Sequence, residues 1–357
     1  TPISYTGTTA GQLTISGNNT FTGNVNVVSG SLSITHNNSL GTTAGATIVA
    51  DGASLSISND ITSAENITIS GTGISSNGAI RNTADDNTLT GLITLGAHSE
   101  IQIDSGSSLT LNPTTGSAVT GAYNLTIHSV GTSSINDPIA ISTGNVTKTG
   151  AGTLTLSGAN SYTGDTTISA GTISISNTNA LGTTAGTTTI SSGAQLTIAT
   201  GLTIAEDINI SGTGISSAGA INSTGIITLS GDINVVATSS IITTGNLTFT
   251  GNIVKTSGSN ATLTISTAAQ LQFTNDAAIT ATNNALSLDL TSDSNSSGDE
   301  VIKLGANIIT NGGSVTVNSD TYLTKYIDID TTGSSDGAVT FSGLIKGYIE
   351  DQNRIIL

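Results

Sequence analysis

Cysteine, tryptophan and methionine are absent from this chain of 357 residues, which has only 3 prolines, 6 tyrosines and 4 phenylalanines. The lack of cysteine excludes a disulfide framework and a thiolate metal site. The few aromatic residues argue against a sandwich or barrel of this size, because such a core usually contains large aromatic side chains.

Charged residues are also scarce, at 8% of the chain against roughly 25% in ordinary soluble domains. Lysine and arginine total 7 and the acids total 23, which gives a formal net charge of -16. Because clustered cations bind nucleic acids and anionic lipids, neither is an expected partner. The composition fits a solvated or extracellular protein.

Long apolar segments are missing as well: no run approaches the ~18 residues that cross a bilayer. The first residues, TPISYTGTTAG, contain neither the basic nor the apolar region of a signal peptide. We therefore expect no membrane span in this chain. We interpret it as a fragment of a longer protein whose targeting segment lies outside it.

What the chain does contain is glycine, 43 residues of it, together with Ser, Thr, Asn and β-branched residues. Apolar residues recur in pairs two positions apart, which is the signature of strands with one buried face. No segment of ten residues shows a helical period, so a doubly wound fold is excluded. The pairs include Leu13/Ile15, Leu32/Ile34, Leu55/Ile57, Ile67/Ile69, Leu154/Leu156, Ile173/Ile175, Leu196/Ile198 and Ile208/Ile210.

The strongest signal is an internal repeat: residues 11–80 align with 152–221 at a constant offset of 141. We call these the first and the second copy. After Ile80 the copies differ by seven residues, which predicts a surface loop at 81–87. A third, degraded beginning at 251–266 resembles 144–157.

A repeated all-β chain can form a sandwich, a propeller or a solenoid, and the scarcity of aromatics favours the solenoid. We predict one continuous parallel β-helix over 1–357. Rungs of about 20 residues would number roughly 17. Stacked asparagines would form amide ladders, beginning with Asn160, and the glycines at 158, 164 and 171 would form the corners.

The segment 150–176 resembles the passenger-associated transport repeat of bacterial autotransporters. The first copy matches less closely, with Phe21 in place of the tyrosine and Val27 in place of an isoleucine. The resemblance implies a right-handed β-helix exported to the surface of a Gram-negative bacterium, with a translocating barrel outside this chain. The matching residues are Gly150, Gly152, Leu154, Leu156, Gly158, Asn160, Tyr162, Thr163, Gly164, Thr166, Ile168, Gly171, Ile173 and Ile175.

The C-terminal segment 261–357 is divergent, more acidic and more aromatic. Residues 284–320 and 337–347 resemble the repeats of filamentous haemagglutinin-type exoproteins, which are also β-helical. Ten of the 23 acids lie in 289–351, and four of the ten aromatic residues lie from Tyr322 onward.

Candidate binding residues lie in this segment. Asp328 and Asp330 are two positions apart, so both carboxylates lie on one strand face, and Tyr322 and Tyr326 are close in sequence. A solvated strand face is the simplest interpretation. The alternatives are a sugar- or cation-binding patch and a catalytic carboxylate pair.

No metal or cofactor is expected. The segment 293–300 begins like a calcium loop, but Leu304 occupies the position that needs a bidentate glutamate. His36, His98 and His128 are scattered. An ice-binding threonine array is disfavoured because the rung lengths vary.

The sequence thus predicts a non-enzymatic shaft segment of a secreted, adhesin-like protein at the bacterial cell surface. Its partners would be a host or neighbouring cell surface, matrix or glycan. The alternative is a carbohydrate-binding or carbohydrate-active β-helix that uses the acidic and aromatic C-terminal third.

Overall fold

A computed structural model shows an all-β chain whose strands pair in parallel, which confirms the predicted β-solenoid. The structure describes residues 2–8, 11–293 and 301–347 and the backbone of 355–356. Within these ranges the only helical segments are two single 3-10 turns, Ile74–Ser76 and Ile215–Ser217. They occupy equivalent positions of the two copies.

The chain divides into two compact units, Thr1–Gly186 and Thr187–Leu357. The prediction of one continuous β-helix over 1–357 stays a prediction. The strands of unit 1 are β1 Ile3–Thr6, β2 Gln12–Ile15, β3 Val25–Ser29, β4 Ser31–Ile34, β5 Thr47–Val49, β6 Ser54–Ile57, β7 Thr62–Ser63, β8 Ile67–Gly71, β9 Ile80–Asn82, β10 Asp86–Leu89, β11 Ile93–Ile103, β12 Ser108–Leu111, β13 Val119–Thr120, β14 Leu125–Ser129, β15 Thr132–Ile135, β16 Ile139–Ala140, β17 Val146–Thr149, β18 Thr153–Leu156, β19 Thr166–Ile168 and β20 Thr172–Ile175.

The strands of unit 2 are β21 Thr187–Ile190, β22 Gln195–Ile198, β23 Leu202–Ile204, β24 Asp207–Gly212, β25 Ile221–Ser223, β26 Ile227–Leu229, β27 Ile233–Thr243, β28 Leu247–Phe249, β29 Ile253–Lys255, β30 Ala261–Thr267, β31 Leu271–Phe273, β32 Ile279–Ala281, β33 Leu286–Ser292, β34 Ile302–Leu304, β35 Ile308–Ile309, β36 Val315–Val317, β37 Thr321–Leu323, β38 Ile327–Asp330, β39 Val339–Phe341, β40 Ile345–Gly347 and β41 Ile355–Ile356.

Each unit is built from three parallel ladders, and successive turns of the chain add strands to them. In unit 1 the ladders are β1-β3-β5-β8-β11-β13-β16, β2-β4-β6-β9-β11-β14-β17-β19 and β7-β10-β12-β15-β18-β20. In unit 2 they are β21-β24-β27-β29-β32-β35-β38-β41, β22-β25-β27-β30-β33-β36-β39 and β23-β26-β28-β31-β34-β37-β40. The long strands β11 and β27 each turn a corner and belong to two ladders.

The turns vary in length, and many are longer than the 20 residues assumed from the sequence. Gln12 pairs with Ser31, a turn of 19 residues, whereas Leu271 pairs with Ile302, a turn of 31. Longer turns mean fewer rungs, so the predicted count of roughly 17 is not confirmed. The right-handed sense stays a prediction.

The interior of both units is a stack of like apolar residues. Leu32 lies on Leu55 and Ile34 on Ile57, and Phe249 stacks on Phe273 with ring centroids 5.0 Å apart. Such stacking fills a narrow core with branched side chains and few aromatics. The predicted inward residues of the second copy are buried: Leu154, Leu156, Ile168, Ile173 and Ile175.

The first apolar pair of the first copy, Leu13/Ile15, is not buried in this way. Leu13 is 43% exposed, whereas Leu154, its counterpart in the second copy, is fully buried. The alternation placed both residues inward, but β2 pairs only with β4 within the described residues, and β18 pairs with both β15 and β20. Exposure therefore depends on whether a neighbouring rung covers the strand.

The corner glycines serve two purposes. Gly171 has φ +70, which a side chain rarely tolerates. At Gly164 a Cβ atom would collide with the backbone of Gly144 on the preceding turn, so close stacking rather than unusual φ requires glycine there.

Asparagine and aspartate residues that lie just before strands link successive turns by hydrogen bonds, and each side-chain oxygen accepts a backbone N–H of the next turn. The side-chain oxygen of Asn124 accepts the backbone N–H of Asn145, and the oxygen of Asn145 accepts the N–H of Asp165. In unit 2, Asp207, Asp232, Asn252 and Ala278 continue in the same way. We call this arrangement the Asx ladder. Each acceptor satisfies a backbone donor on the next turn.

Asn160 does not begin a stack of amides, contrary to the prediction. Its Oδ1 accepts the N–H of Ile139 at 2.8 Å and its Nδ2 donates to the carbonyl of Ala180. Because the side chain is buried, these backbone groups would otherwise lack partners. Amide stacking occurs elsewhere, as between Asn38 and Asn18 at 2.8 Å.

Candidate functional site

The two predicted aspartates line one groove in unit 2, with a volume of about 700 Å³. Asp328 and Asp330 lie on β38, and both side chains are exposed on the same strand face, as their spacing predicts. We call this the Asp328 groove. Its other lining residues are Asn307, Ile309, Ile329, Thr331, Thr332, Gly337 and Val339.

The carboxylate of Asp330 is held by its own turn. Its Oδ1 accepts the backbone N–H of Thr332 at 2.9 Å and the hydroxyl of Thr332 at 2.7 Å. These bonds lower the pKa of Asp330, the hydroxyl bond having the larger effect. Asp330 is therefore a fixed anion at neutral pH, whereas a general acid needs a raised pKa.

The predicted tyrosines lie outside the lining of the Asp328 groove. Tyr322 lies on β37, in a different ladder from β38, between Lys303 and Lys346 on the adjacent strands. Tyr326 is in the connection between β37 and β38 and is 41% exposed. The structure thus brings Asp328 and Asp330 together, while the assignment of all four residues to a ligand stays a prediction.

Metal-binding residues do not cluster in the part of the chain that the structure describes. Each histidine binds a local partner instead: His36 accepts the N–H of Asn38, His98 accepts that of Asn124, and His128 pairs with Thr149. Of the segment 293–300 that begins like a calcium loop, residues 294–300 lie outside the described residues.

Residues 10–34 and 146–175 match the sequence model of a known family, the passenger-associated-transport-repeat. Two segments of this chain therefore match the repeat, and we call them the first and the second transport repeat. They and the parallel β-solenoid fit an autotransporter passenger, a family that implies secretion or surface display. The matched residues do not include 284–320 or 337–347, whose haemagglutinin-type resemblance stays a prediction. No curated protein and no solved structure matches the chain.

In the second transport repeat, the tyrosine of the N-x-Y-T-G core closes a corner of the solenoid. Tyr162 is fully buried, and its hydroxyl lies 2.6 Å from Oγ1 of Thr166. Thr166 in turn donates to the carbonyl of Leu181. The first repeat has Phe21 and Val25 at these two positions, so its corner lacks this polar chain. The repeat motif is therefore structural at this corner.

Two buried lysines, Lys148 and Lys255, were not predicted from the sequence, and both are 0% exposed. Lys148 Nζ donates to the carbonyls of Thr149 and Gly150 at 2.7 Å and lies 3.3 Å from those of Ser129 and Ala170. Burial lowers the pKa of Lys148 to about 8 and also lowers that of Lys255. Lys148 follows Val146 by two positions, so strict alternation did place it inward.

Two buried glutamates were also missed, and they occupy one position of the two copies. Glu65 and Glu206 are 4% and 5% exposed and accept hydroxyl bonds from Thr47 and Thr188, respectively. Burial raises the pKa of Glu65, and the Thr47 bond partly offsets this. The two glutamates lie 141 positions apart and alternate with inward isoleucines, and this was the signal that could have revealed them.

Two grooves of unit 1 are lined mainly by residues of the first copy. One, of about 400 Å³, lies beside Arg81, whose guanidinium is held by Asp104 at 2.8 Å. The other, of about 310 Å³, lies beside Glu65, and we call it the Glu65 groove. Its lining residues are Asn18, Asn19, Thr20, Asn37, Asn38, Leu40, Gly41, Thr42, Thr43, Ser63, Ala64 and Glu65.

Among the described residues, the structure contains no apolar helix of the length that would cross a membrane.

Proposed function

We propose that this chain is a shaft segment of a secreted, adhesin-like passenger at the surface of a Gram-negative bacterium. The observation that carries the proposal is the presence of two transport repeats in a solenoid of parallel ladders. Stacked turns present repeated nearest-neighbour contacts and leave few sites for proteolysis. The shaft acts mechanically and needs no catalytic group.

Surface display tests this proposal. The 357-residue chain is fused between a signal peptide and an autotransporter barrel, and Gram-negative cells are treated with protease and with an antibody against the chain. We expect antibody labelling at the cell surface and slow cleavage of the displayed segment. Retention in the periplasm, or cleavage as fast as that of an unfolded chain, would contradict the proposal.

A matched pair of variants shows whether the transport repeat itself is required. Gly164→Val places a side chain against the backbone of Gly144, whereas Thr184→Val adds a valine at an exposed position. We expect Gly164→Val to lose surface display and Thr184→Val to retain it. The adhesive role is then tested by binding of the displaying cells to epithelial monolayers and matrix.

The Asp328 groove supports a second candidate function, carbohydrate binding in the C-terminal third. Its volume of about 700 Å³ lies within the usual range for ligand sites, roughly 300–1,000 Å³. An array of soluble glycans is probed with the purified chain and with the double variant Asp328→Asn/Asp330→Asn. Glycan binding that the double variant loses would support this candidate, and unchanged binding would exclude these two residues.

A further inference from the structure

A guanidinium group held in a fixed position distinguishes the groove beside Arg81, which we call the Arg81 groove. The carboxylate of Asp104 accepts hydrogen bonds from Arg81 Nε at 3.0 and 3.2 Å and lies 2.8 Å from Nη2. Gln102 donates to the same carboxylate at 2.8 Å, so Asp104 is itself held in place. Asp104 thus occupies the Nε/Nη2 edge of the guanidinium. The other edge, formed by Nη1 and the second hydrogen of Nη2, has no partner among the described residues.

Hydrogen bonds between the strands and a turn give the Arg81 groove its wall and its floor. The N–H of Ile74 donates to Ser54 Oγ at 2.9 Å, and Ser54 Oγ donates to the carbonyl of Gly78 at 2.9 Å. These bonds fasten the 3-10 turn of the first copy to β6, so that the turn forms one wall. On the floor, the hydroxyl oxygens of Ser31 and Ser56 lie 3.0 Å apart. The lining is therefore preorganised around Arg81.

Charge and shape select the class of ligand. Arg81 is the only charged residue that lines the groove. A planar guanidinium edge with two parallel donors matches the two oxygens of a carboxylate. Gln12, Ser75 and Asn77 also line the groove and add donors and acceptors that suit sugar hydroxyls. A volume of about 400 Å³ lies within the range for ligand sites and accommodates one sugar ring with its substituents.

We propose that the Arg81 groove binds a saccharide unit that carries a carboxylate, with the carboxylate on the free edge of Arg81. The second copy lacks these groups. Asn222 stands in place of Arg81, and its Nδ2 donates to the carbonyl of Ala218 at 2.9 Å. Gln195 stands in place of Ser54, and its longer side chain donates to the loop that covers it. This inference goes beyond the shaft proposal and does not depend on it.

Arginine side-chain NMR of the ¹⁵N-labelled full chain tests the proposal, because Arg81 and Arg354 are its only arginines. Glucuronate, galacturonate and N-acetylneuraminate are titrated separately to about 50 mM, a concentration that saturates a millimolar site. Sodium chloride keeps the ionic strength constant. We expect at least one sugar acid to shift the Nε–H signal of Arg81, which is assigned from its loss in Arg81→Asn. If none of the three shifts this signal, the proposal is overturned.

Three reference ligands show which part of the sugar acid is recognised. Glucose lacks the carboxylate, acetate lacks the sugar ring, and glucose 6-sulfate carries a different anion. We expect each of them to bind at least about tenfold more weakly than the best sugar acid. If glucose or acetate binds as tightly as the sugar acids, or glucose 6-sulfate binds more tightly, the proposal fails.

Variants locate the binding site, with affinities measured by isothermal titration calorimetry. Arg81→Asn and Ser54→Gln introduce the residues of the second copy, which the repeat tolerates. The first removes the guanidinium and the second fills the groove, so each should weaken binding of the sugar acid at least about tenfold. Arg81→Lys keeps the positive charge but loses the edge with two donors, so it should also weaken binding.

A matched control removes a positive charge elsewhere. Lys346 is an exposed cation of unit 2 that pairs with Asp320, and Lys346→Asn should bind the sugar acid like the parent chain. Equal affinity of the parent chain, Arg81→Asn and Arg81→Lys would overturn the proposal, as would an equal loss in Lys346→Asn. Circular dichroism of each variant confirms that the solenoid is folded.

Discussion

The two copies of the internal repeat share a sequence pattern but differ in the burial of equivalent residues and in the hydrogen bonds at one corner. In the second copy, Leu154 is fully buried and Tyr162 closes a corner through Thr166, whereas the first copy exposes Leu13 and has Phe21 and Val25 at the corner. The motif therefore defines the path of the backbone, while neighbouring turns and a few exchanged side chains decide how well each turn is covered and hydrogen-bonded.

The largest expected difference between the copies concerns the paired leucines. Leu154→Ala should destabilise the chain by about 2–5 kcal/mol, because it opens a cavity in a closed core. Leu13→Ala should change the unfolding free energy by less than about 0.5 kcal/mol, because the side chain is already exposed. Urea unfolding followed by circular dichroism measures both. Equal losses of unfolding free energy in the two variants would show that Leu13 is covered in solution.

A smaller difference is expected at the corner. Tyr162→Phe removes the hydroxyl that bonds Thr166, so we expect a loss of about 1 kcal/mol in the free energy of unfolding. Phe21→Tyr should give no matching gain, because Val25 offers no hydrogen-bond partner. The urea midpoints of the two variants test this. A gain from Phe21→Tyr would mean that the hydroxyl finds another acceptor.

The Asx ladder predicts an effect on the free energy of unfolding that is similar or smaller. Asn24 Oδ1 accepts the N–H of Ala46 at 3.2 Å, and the second copy has Asp165 at this position. Asn24→Ala should cost about 0.5–1.5 kcal/mol, while Asn24→Asp keeps the acceptor and should be nearly neutral. Hydrogen exchange of the Ala46 amide reports the same bond. Unchanged exchange in Asn24→Ala would contradict the ladder.

The last expected difference is a pH dependence that comes from Lys148 of the second transport repeat, because the residue 141 positions earlier is Gly7. The pKa of Lys148 falls from 10.5 to about 8 in the folded chain. The unfolded chain therefore binds more protons between these values, so stability should rise with pH from about 8 towards 10.5. Lys148→Met should reduce this slope in urea unfolding at several pH values, and Lys255 should maintain part of it. A slope that Lys148→Met leaves unchanged would contradict the assignment.

Much of the fold could be predicted because successive turns of a solenoid repeat the same alternation of buried and exposed residues. The alternation of Leu154 and Leu156 and the constant offset of 141 sufficed to predict parallel strands with an apolar interior. The exposure of Leu13 could not be predicted, since its sequence context closely resembles that of Leu154 and the neighbouring rungs make the difference.

The candidate site was less predictable for a related reason. Tyr322 and Asp328 are six positions apart in sequence, but the chain turns a corner between β37 and β38, so they lie in different ladders. Glu65 and Lys148 were in phase with inward residues, but charged side chains are usually exposed. Only the partners Thr47 and the backbone carbonyls around Lys148 account for their burial.

The Asx ladder makes the two faces of a rung chemically unlike. Asn145 accepts from the following turn, and its own N–H donates to the preceding one, so each rung has an accepting face and a donating face. Two accepting faces placed together would leave carbonyl oxygens opposed, and two donating faces would leave N–H groups unpaired. Two rungs can therefore stack only when the accepting face of one meets the donating face of the other.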